Sequence, residues 1–324
     1  MRAICLSKYG SIDNLVQTEL PTPQPQNRQV LVRVHASALG PADLKVALGK
    51  VKFLHGRRFP MVLGYDFSGV VESVGPGETQ WQPGDCVFGF LPYGPANNQG
   101  AFAEFIVAQT DQIARKPDNV SHAQTAAAAT SALTALQCIR DQGSLPATDA
   151  SVLITGASGA VGSTAVLVAK RLGAQVTALG SPSGLELARR FGADAVIDRK
   201  NPNLVDNAVG SFNVIFDPAA AYRWSQWKAK LKHGGAFITT LPSAAFFADK
   251  LNSLFSPSSV ALAYVKSKQK DLELLAGWLE SGFEVAVDST YPVRELAKAY
   301  AKYQKGDYLG RIVITVDDGF STSK

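Results

Sequence analysis

The stretch SVLITGASGAVG at residues 151–162 runs into STAVLVAK at 163–170. A short apolar run leads to a glycine-rich turn, and the turn opens into a pattern rich in alanine, valine and leucine. Strand, turn and helix in that order is the arrangement that receives a dinucleotide. Small residues let the backbone approach a pyrophosphate, and a helix start offers unpaired N–H groups and the positive end of a dipole. Ser158, Gly159, Ala160, Val161 and Gly162 are therefore candidate cofactor-binding residues, with Gly162 also allowing close helix–sheet packing. Against the pattern G-x-G-x-x-G, Ala157 replaces the first glycine. A plain structural turn can carry the same letters, but the repetition of strand and helix around it favours the nucleotide.

A second strand of such a fold ends at LGSPSG, residues 179–184. An acid placed there would bond a ribose 2′-OH and repel a 2′-phosphate. No acid occurs before Glu186, and Ser181 and Ser183 offer hydroxyls, which argues for NADPH over NADH. Arg199, after a third strand at 195–198, is suited to bidentate phosphate contact; the bland reading is a solvated loop residue. Leu241 and Pro242 follow a fifth strand and Val265 a sixth, at the carboxyl edge where such sheets bind ligand. Phe53, Phe90, Tyr93, Phe246 and Phe247 either shape an apolar pocket or are core. His35, His55, His122 and His233 have neither metal nor triad spacing. Cys5, Cys86 and Cys138, odd in number and far apart, read as buried or free thiols in a reducing compartment, without a zinc site.

The elements that must position these residues fall into two parts, as the length of 324 residues suggests. Residues 1–120 alternate short strands (30–36, 67–75, 86–89, 101–107) with Gly/Pro turns, and a partly open β-barrel is expected. From residue 121 to 265, apolar strands at 152–155, 175–179, 195–198, 214–217 and 236–241 alternate with helical segments, and 259–265 supplies a sixth. That pattern predicts a doubly wound parallel sheet, α/β in class. Residues 266–324 are too few to stand alone and are expected to rejoin the first domain.

The net charge of +5 is mild, and no basic stripe with interleaved aromatics occurs, so nucleic acid is excluded as a partner. No apolar run long enough for a membrane span is present, and the start lacks a signal-peptide core. A cytoplasmic protein is expected. A homodimer is expected if 259–265 forms an exposed edge strand.

Beyond these patterns, the chain resembles the medium-chain dehydrogenase/reductase superfamily, and within it the zinc-free quinone oxidoreductase branch related to zeta-crystallin. The resemblance is carried by GPADLK (40–45), the run from Pro60 through GYDFSGVV (64–71), GAFAE (100–104), LTA (133–135), the glycine turn, LKHGG (231–235) and GDYLGR (306–311). It implies a GroES-like catalytic barrel and a Rossmann NADP-binding domain. The zinc-dependent branch would put a histidine after Gly64 and a cysteine near Gly40. Tyr65 and Gly40 stand there instead, so no metal is expected. The family's quinone reductases commonly place an asparagine, whose amide helps hold the nicotinamide, at the position of Gly40, which has no side chain to make that contact. Where Arg199 stands, relatives usually carry a tyrosine beside the adenosine phosphate. Lys45 matches a lysine that, in relatives resembling plant envelope quinone reductases, faces the nicotinamide ribose and substrate, and Thr134 falls near the nicotinamide.

The resemblance implies NADPH-dependent reduction of a quinone or an α,β-unsaturated carbonyl. Negative charge developing on the acceptor oxygen needs a donor, and Lys45 and Tyr65 are the candidates for catalysis. Their bland readings are a surface lysine on a short helix and an aromatic core residue; Asp43 and Asp66 read chiefly as turn formers. Two other functions stay open: a zinc-free alcohol dehydrogenase or ketone reductase, and a non-catalytic NADPH-binding protein.

Overall fold

A computed structural model describes residues 1–52, 58–92, 99–145, 148–317 and 319–320. Phe53, His55 and Tyr93 lie outside the described residues. The chain forms two compact units, one of Met1–Thr130 with Lys266–Lys324 and one of Ser131–Val265.

In the first unit the chain runs β1 (Arg2–Leu6), β2 (Leu15–Glu19), β3 (Gln29–Ala38), helix α1 (Pro41–Ala47), β4 (Met61–Val62), β5 (Asp66–Val74), β6 (Cys86–Phe90), β7 (Phe105–Gln109) and β8 (Ile113–Arg115). It then enters α2 (His122–Leu136), within which the division between units falls. Strands β1, β2 and β4 form a small sheet. The larger sheet is centred on β3, which pairs antiparallel with β5 along most of its length, with β7 near its start and with a late strand near its end. That centrality explains why β3 does not simply alternate. Val30, Val32 and Val34 enter the core as the pattern requires, yet Leu31 is buried too, and Arg33 is left exposed.

The run 101–107, read as one strand, becomes β7 only from Phe105. Its first residues bond elsewhere: Ala101 N–H to Gly64 O at 2.8 Å, Phe102 N–H to Leu63 O at 3.0 Å, and Phe102 O to Ile4 N–H at 2.9 Å. Gly100 makes this possible, since a Cβ there would lie 2.2 Å from Leu63 O.

The second unit continues with β9 (Ser151–Ile154), α3 (Ala160–Arg171), β10 (Gln175–Gly180), α4 (Pro182–Arg190), β11 (Ala195–Asp198), α5 (Leu204–Asn207), β12 (Phe212–Asp217), α6 (Trp224–Trp227), β13 (Leu231–Thr239), α7 (Ala244–Ser253) and β14 (Ser259–Leu262). All its strand pairs are parallel, in the order β11-β10-β9-β12-β13-β14. The order reverses between β9 and β12, the place where ligands enter such sheets. Val152, Leu153 and Ile154 are all fully buried, as a strand covered on both faces requires.

The chain returns to the first unit as α8 (Gln269–Glu280), β15 (Val287–Pro292), α9 (Leu296–Lys305) and β16 (Arg311–Thr315). β16 is the late strand beside β3, so residues from the two ends of the sequence share one sheet. The α/β class, with a β-rich first unit and a doubly wound parallel sheet, is what the structure has. Cys5, Cys86 and Cys138 are free thiols, two of them buried.

Candidate functional site

The carboxyl edge of the parallel sheet gathers most of the sequence candidates. β9 ends at Ile154; after Thr155, Gly156 turns the chain with φ +58°, a left-handed conformation that favours glycine. The special backbone angle therefore falls on Gly156, and Ala157 takes the first-glycine position without strain, its N–H bonded to Leu179 O at 3.2 Å. Gly159 is the N-cap of α3. Ala160, Val161 and Gly162 begin that helix, so their N–H groups precede its internal ladder. Gly162 is held hard against the turn: a Cβ there would meet Gly156 O at 2.1 Å. Gly184, in the first turn of α4, plays the matching part on the other side, where a Cβ would lie 2.4 Å from Ser158 Cβ. The sequence reading missed Gly184.

Next along the edge, Ser181 caps α4, its hydroxyl accepting the Gly184 N–H at 3.4 Å and lying 3.4 Å from the Ser183 hydroxyl. Asp198 pairs with Gly180 in register, and the Arg199 N–H donates to Gly180 O at 2.9 Å. Arg199 and Ser181 thus leave neighbouring strand ends side by side. The Arg199 guanidinium is exposed and forms no ion pair among the described residues. It acts electrostatically on Tyr222.

Asp217, at the end of β12, is a further residue that sequence reasoning missed. Fully buried, it accepts hydrogen bonds from the Thr155 hydroxyl and from the Tyr222 N–H at 2.8 Å. Burial pushes its carboxyl up against the pull of those donors. It ties the loop after β12 to the start of the glycine turn, across the point where the strand order reverses. An acid closing the apolar run FNVIFD was the available signal.

Leu241 and Pro242 follow β13 and are exposed; the Thr240 hydroxyl donates to Pro218 O at 3.0 Å. Leu241 and Phe246 line a small cavity of about 40 Å³ with Tyr222 and Trp224. Val265 lies just past β14, half-buried. Thr134 is buried in α2, one turn beyond Ser131, whose hydroxyl lies 3.4 Å from that of Thr164 on α3.

The first unit holds the other two candidates. Lys45 is exposed in the last turn of α1, and Tyr65, 7% exposed, sits between Gly64 and β5. Asp43 and Asp66 are both buried and satisfied. Asp43 accepts from the N–H groups of Gly40 and Gly64. Asp66 accepts from Thr130 N–H at 2.7 Å and forms a buried ion pair with Arg311. Phe90 is core, 2% exposed. Of the histidines, His35 stacks on His122 at 4.5 Å and pairs with Asp317 at 3.0 Å, and His122 bonds the buried Ser68 hydroxyl at 2.8 Å. Among the described residues, no three of His, Cys, Asp and Glu converge to hold a metal ion.

Comparison with known proteins agrees with this architecture. Residues 26–118 match the alcohol dehydrogenase GroES-like domain, and residues 191–314 match the zinc-binding dehydrogenase family. The chloroplast envelope quinone oxidoreductase homolog of Arabidopsis thaliana is 29% identical over 326 residues, covering 97% of this chain and 98% of its own. A mitochondrial NAD(P)H oxidoreductase of Bos taurus is 30% identical over 357 residues, covering 98% and 89%. Among solved structures, the quinone oxidoreductase from Coxiella burnetii superposes with a TM-score of 0.87 at 25% identity, covering 98% of this chain and 99% of that one.

Proposed function

The chain belongs to the medium-chain dehydrogenase/reductase superfamily, in its quinone oxidoreductase branch, and from that premise we propose that it is an NADPH-dependent reductase of quinones or α,β-unsaturated carbonyls that works without a bound metal. Membership of the superfamily implies a nicotinamide dinucleotide cofactor. The observation that carries the choice of NADPH is the end of β10, where Ser181 and Ser183 stand with Arg199 leaving the neighbouring strand end, and no acid follows β10 in sequence before Glu186.

The cradle fits such a cofactor. The N–H groups at the start of α3 receive the pyrophosphate; Gly159 puts no side chain in its way, and Gly162 lets the helix start close on the turn. Ser158 through Gly162, Ser181, Ser183 and Arg199 hold the adenosine end; Thr134, Leu241, Pro242 and Val265 border the nicotinamide end. When bound, NADPH supplies the hydride. Lys45 steadies the negative charge that gathers on the acceptor oxygen, and the Tyr65 phenol donates a proton to it.

The protein is proposed to act in the cytoplasm as a homodimer, with β14 as the shared edge. None of its described helices is long and apolar enough to cross a membrane. The deciding experiment follows NADPH oxidation by absorbance with quinone, enone and ketone panels. Turnover of quinones or enones without ketones supports the reading. Turnover of ketones alone would replace it with the alcohol dehydrogenase, and tight NADPH binding without any turnover would replace it with a non-catalytic binder.

A further inference from the structure

We propose that Asp43 is a positioning residue: one buried carboxylate that fastens the start of α1, which carries Lys45, to the turn that presents Tyr65. The inference rests on the roles given to Lys45 and Tyr65 above. Its Oδ2 accepts the Gly40 N–H at 2.8 Å, and its Oδ1 accepts the Gly64 N–H at 2.9 Å. The first bond alone would be ordinary helix capping, an acid in the first turn reaching back to the residue before the helix. The second reaches a segment 21 positions away in sequence and has no capping purpose. Each oxygen holds the backbone of a different segment, one at the start of the helix that carries Lys45 and one just before Tyr65, so the carboxylate sets one segment against the other.

The receiving segment has no slack. Gly64 holds φ +94°, and a Cβ there would lie 3.0 Å from the Phe102 ring and backbone nitrogen. Its carbonyl is committed to Ala101 N–H and the Tyr65 carbonyl to Leu91 N–H, both at 2.8 Å. A fixed turn on one side and a short helix on the other leave Asp43 as the adjustable joint.

The joint also responds to protons. Asp43 is 1% exposed. The groups facing it are Asp66 from β5, Arg311 from β16, and Tyr300 and Tyr303 from α9. Arg311 is spent on Asp66, and the buried Tyr300 hydroxyl has no hydrogen-bond partner among the described residues. Burial, with Asp66 adding to it, lifts the Asp43 carboxyl to about 7. A protonated carboxyl loses one acceptor site of full strength, and one of the two N–H bonds weakens with it.

Two measurements test this on the full chain. In the first, the amide signals of Gly40 and Gly64 are followed by NMR from pH 5.5 to about 8.5, a window centred on the Asp43 value. Both are expected to shift together with one midpoint near 7, and Asp43→Asn is expected to abolish the shift. In the second, Asp43→Asn and Asp43→Glu are assayed with NADPH and a quinone. The asparagine variant is expected to lose about tenfold or more in kcat, with NADPH affinity unchanged within about twofold, because orientation and not binding is impaired. Its kcat–pH profile is expected to lose the step near 7, and glutamate to restore part of it. Separate midpoints for the two amides, or a variant that keeps kcat and its pH step, would overturn the proposal. A wild-type protein that reduces no acceptor would instead remove the reductase reading, while the paired amide titration, which needs no turnover and no variant to fold, still decides whether Asp43 is the joint.

Discussion

Gly162 shows how a single atom can decide a site. An alanine Cβ would sit 2.1 Å from Gly156 O, a backbone atom that cannot swing aside as a side chain would. Gly162→Ala must push α3 away from the turn, which misaligns the N–H groups at the helix start. The expected result is a loss of about tenfold or more in NADPH affinity by fluorescence titration, with a destabilisation of about 1–3 kcal/mol by urea unfolding. Unchanged affinity would mean that the turn is not the phosphate cradle. Arg199 makes the complementary case, since its guanidinium has no ion pair among the described residues and its backbone is anchored to Gly180. Arg199→Ala is expected to raise the NADPH KM several-fold, by about 1 kcal/mol or more, and to leave the NADH KM nearly unchanged. Equal effects on both cofactors would return Arg199 to the solvated loop.

Elements that are local in sequence were readable, and elements built from distant pairings were not. The strand, turn and helix at 151–171 could be read because periodicity, glycine placement and helix start all lie within one short window. The five neighbouring strands repeated the same signal. By contrast, β3 takes partners as far away as β16, and nothing near residue 36 announces a neighbour near residue 315. The site followed the same rule. Ser181 and Arg199 could be singled out from their own strand ends, but Asp43 and Asp66 looked like turn formers because their partners, Gly64 and Arg311, are remote. A last element-level feature concerns the sheet edge. Among the described residues β14 has a neighbour only on its β13 side, and Phe247, Leu251, Leu254 and Phe255 are exposed on or just after α7, with Leu262 and Tyr264 exposed nearby. An open edge beside an apolar helix face suits pairing about a two-fold axis with a second copy. Sedimentation is expected to give twice the 34.4 kDa chain mass, and Leu251→Glu with Phe255→Glu to give monomers. A monomeric wild-type protein at high concentration would remove the dimer.

At the scale of the whole molecule, two strongly displaced acid–base groups of the first unit oppose each other. Asp43 keeps its proton in the folded chain to about 7, whereas the unfolded chain releases it near 3.8. The folded state therefore holds more protons across that window, and the stability due to Asp43 falls as pH rises through it. His122 does the reverse. Burial, with His35 and Lys116 beside it, holds its folded value at about 4 against 6.5 when unfolded, while Asp317 pulls the other way. Between those values the unfolded chain binds the extra proton, so the stability due to His122 is present above 6.5 and is lost as pH falls toward 4. Each slope is at most about 1.4 kcal/mol per pH unit, and between pH 4.5 and 6.5 they have opposite signs. Urea midpoints of the wild-type protein should then vary little over that range. Relative to wild type, Asp43→Asn should gain stability as pH rises from 4.5 to 6.5, and His122→Asn should lose it, so that the two difference curves diverge in mirror image. Taking differences removes Asp217, whose carboxyl is raised in the second unit, and the ion-paired Asp85, Glu104, Asp194 and Asp288, which are held low and carry stability lost only as the pH falls through their own range. Parallel difference curves would show that burial in the first unit does not set these two protons, and the titrating joint at Asp43 would lose its physical basis.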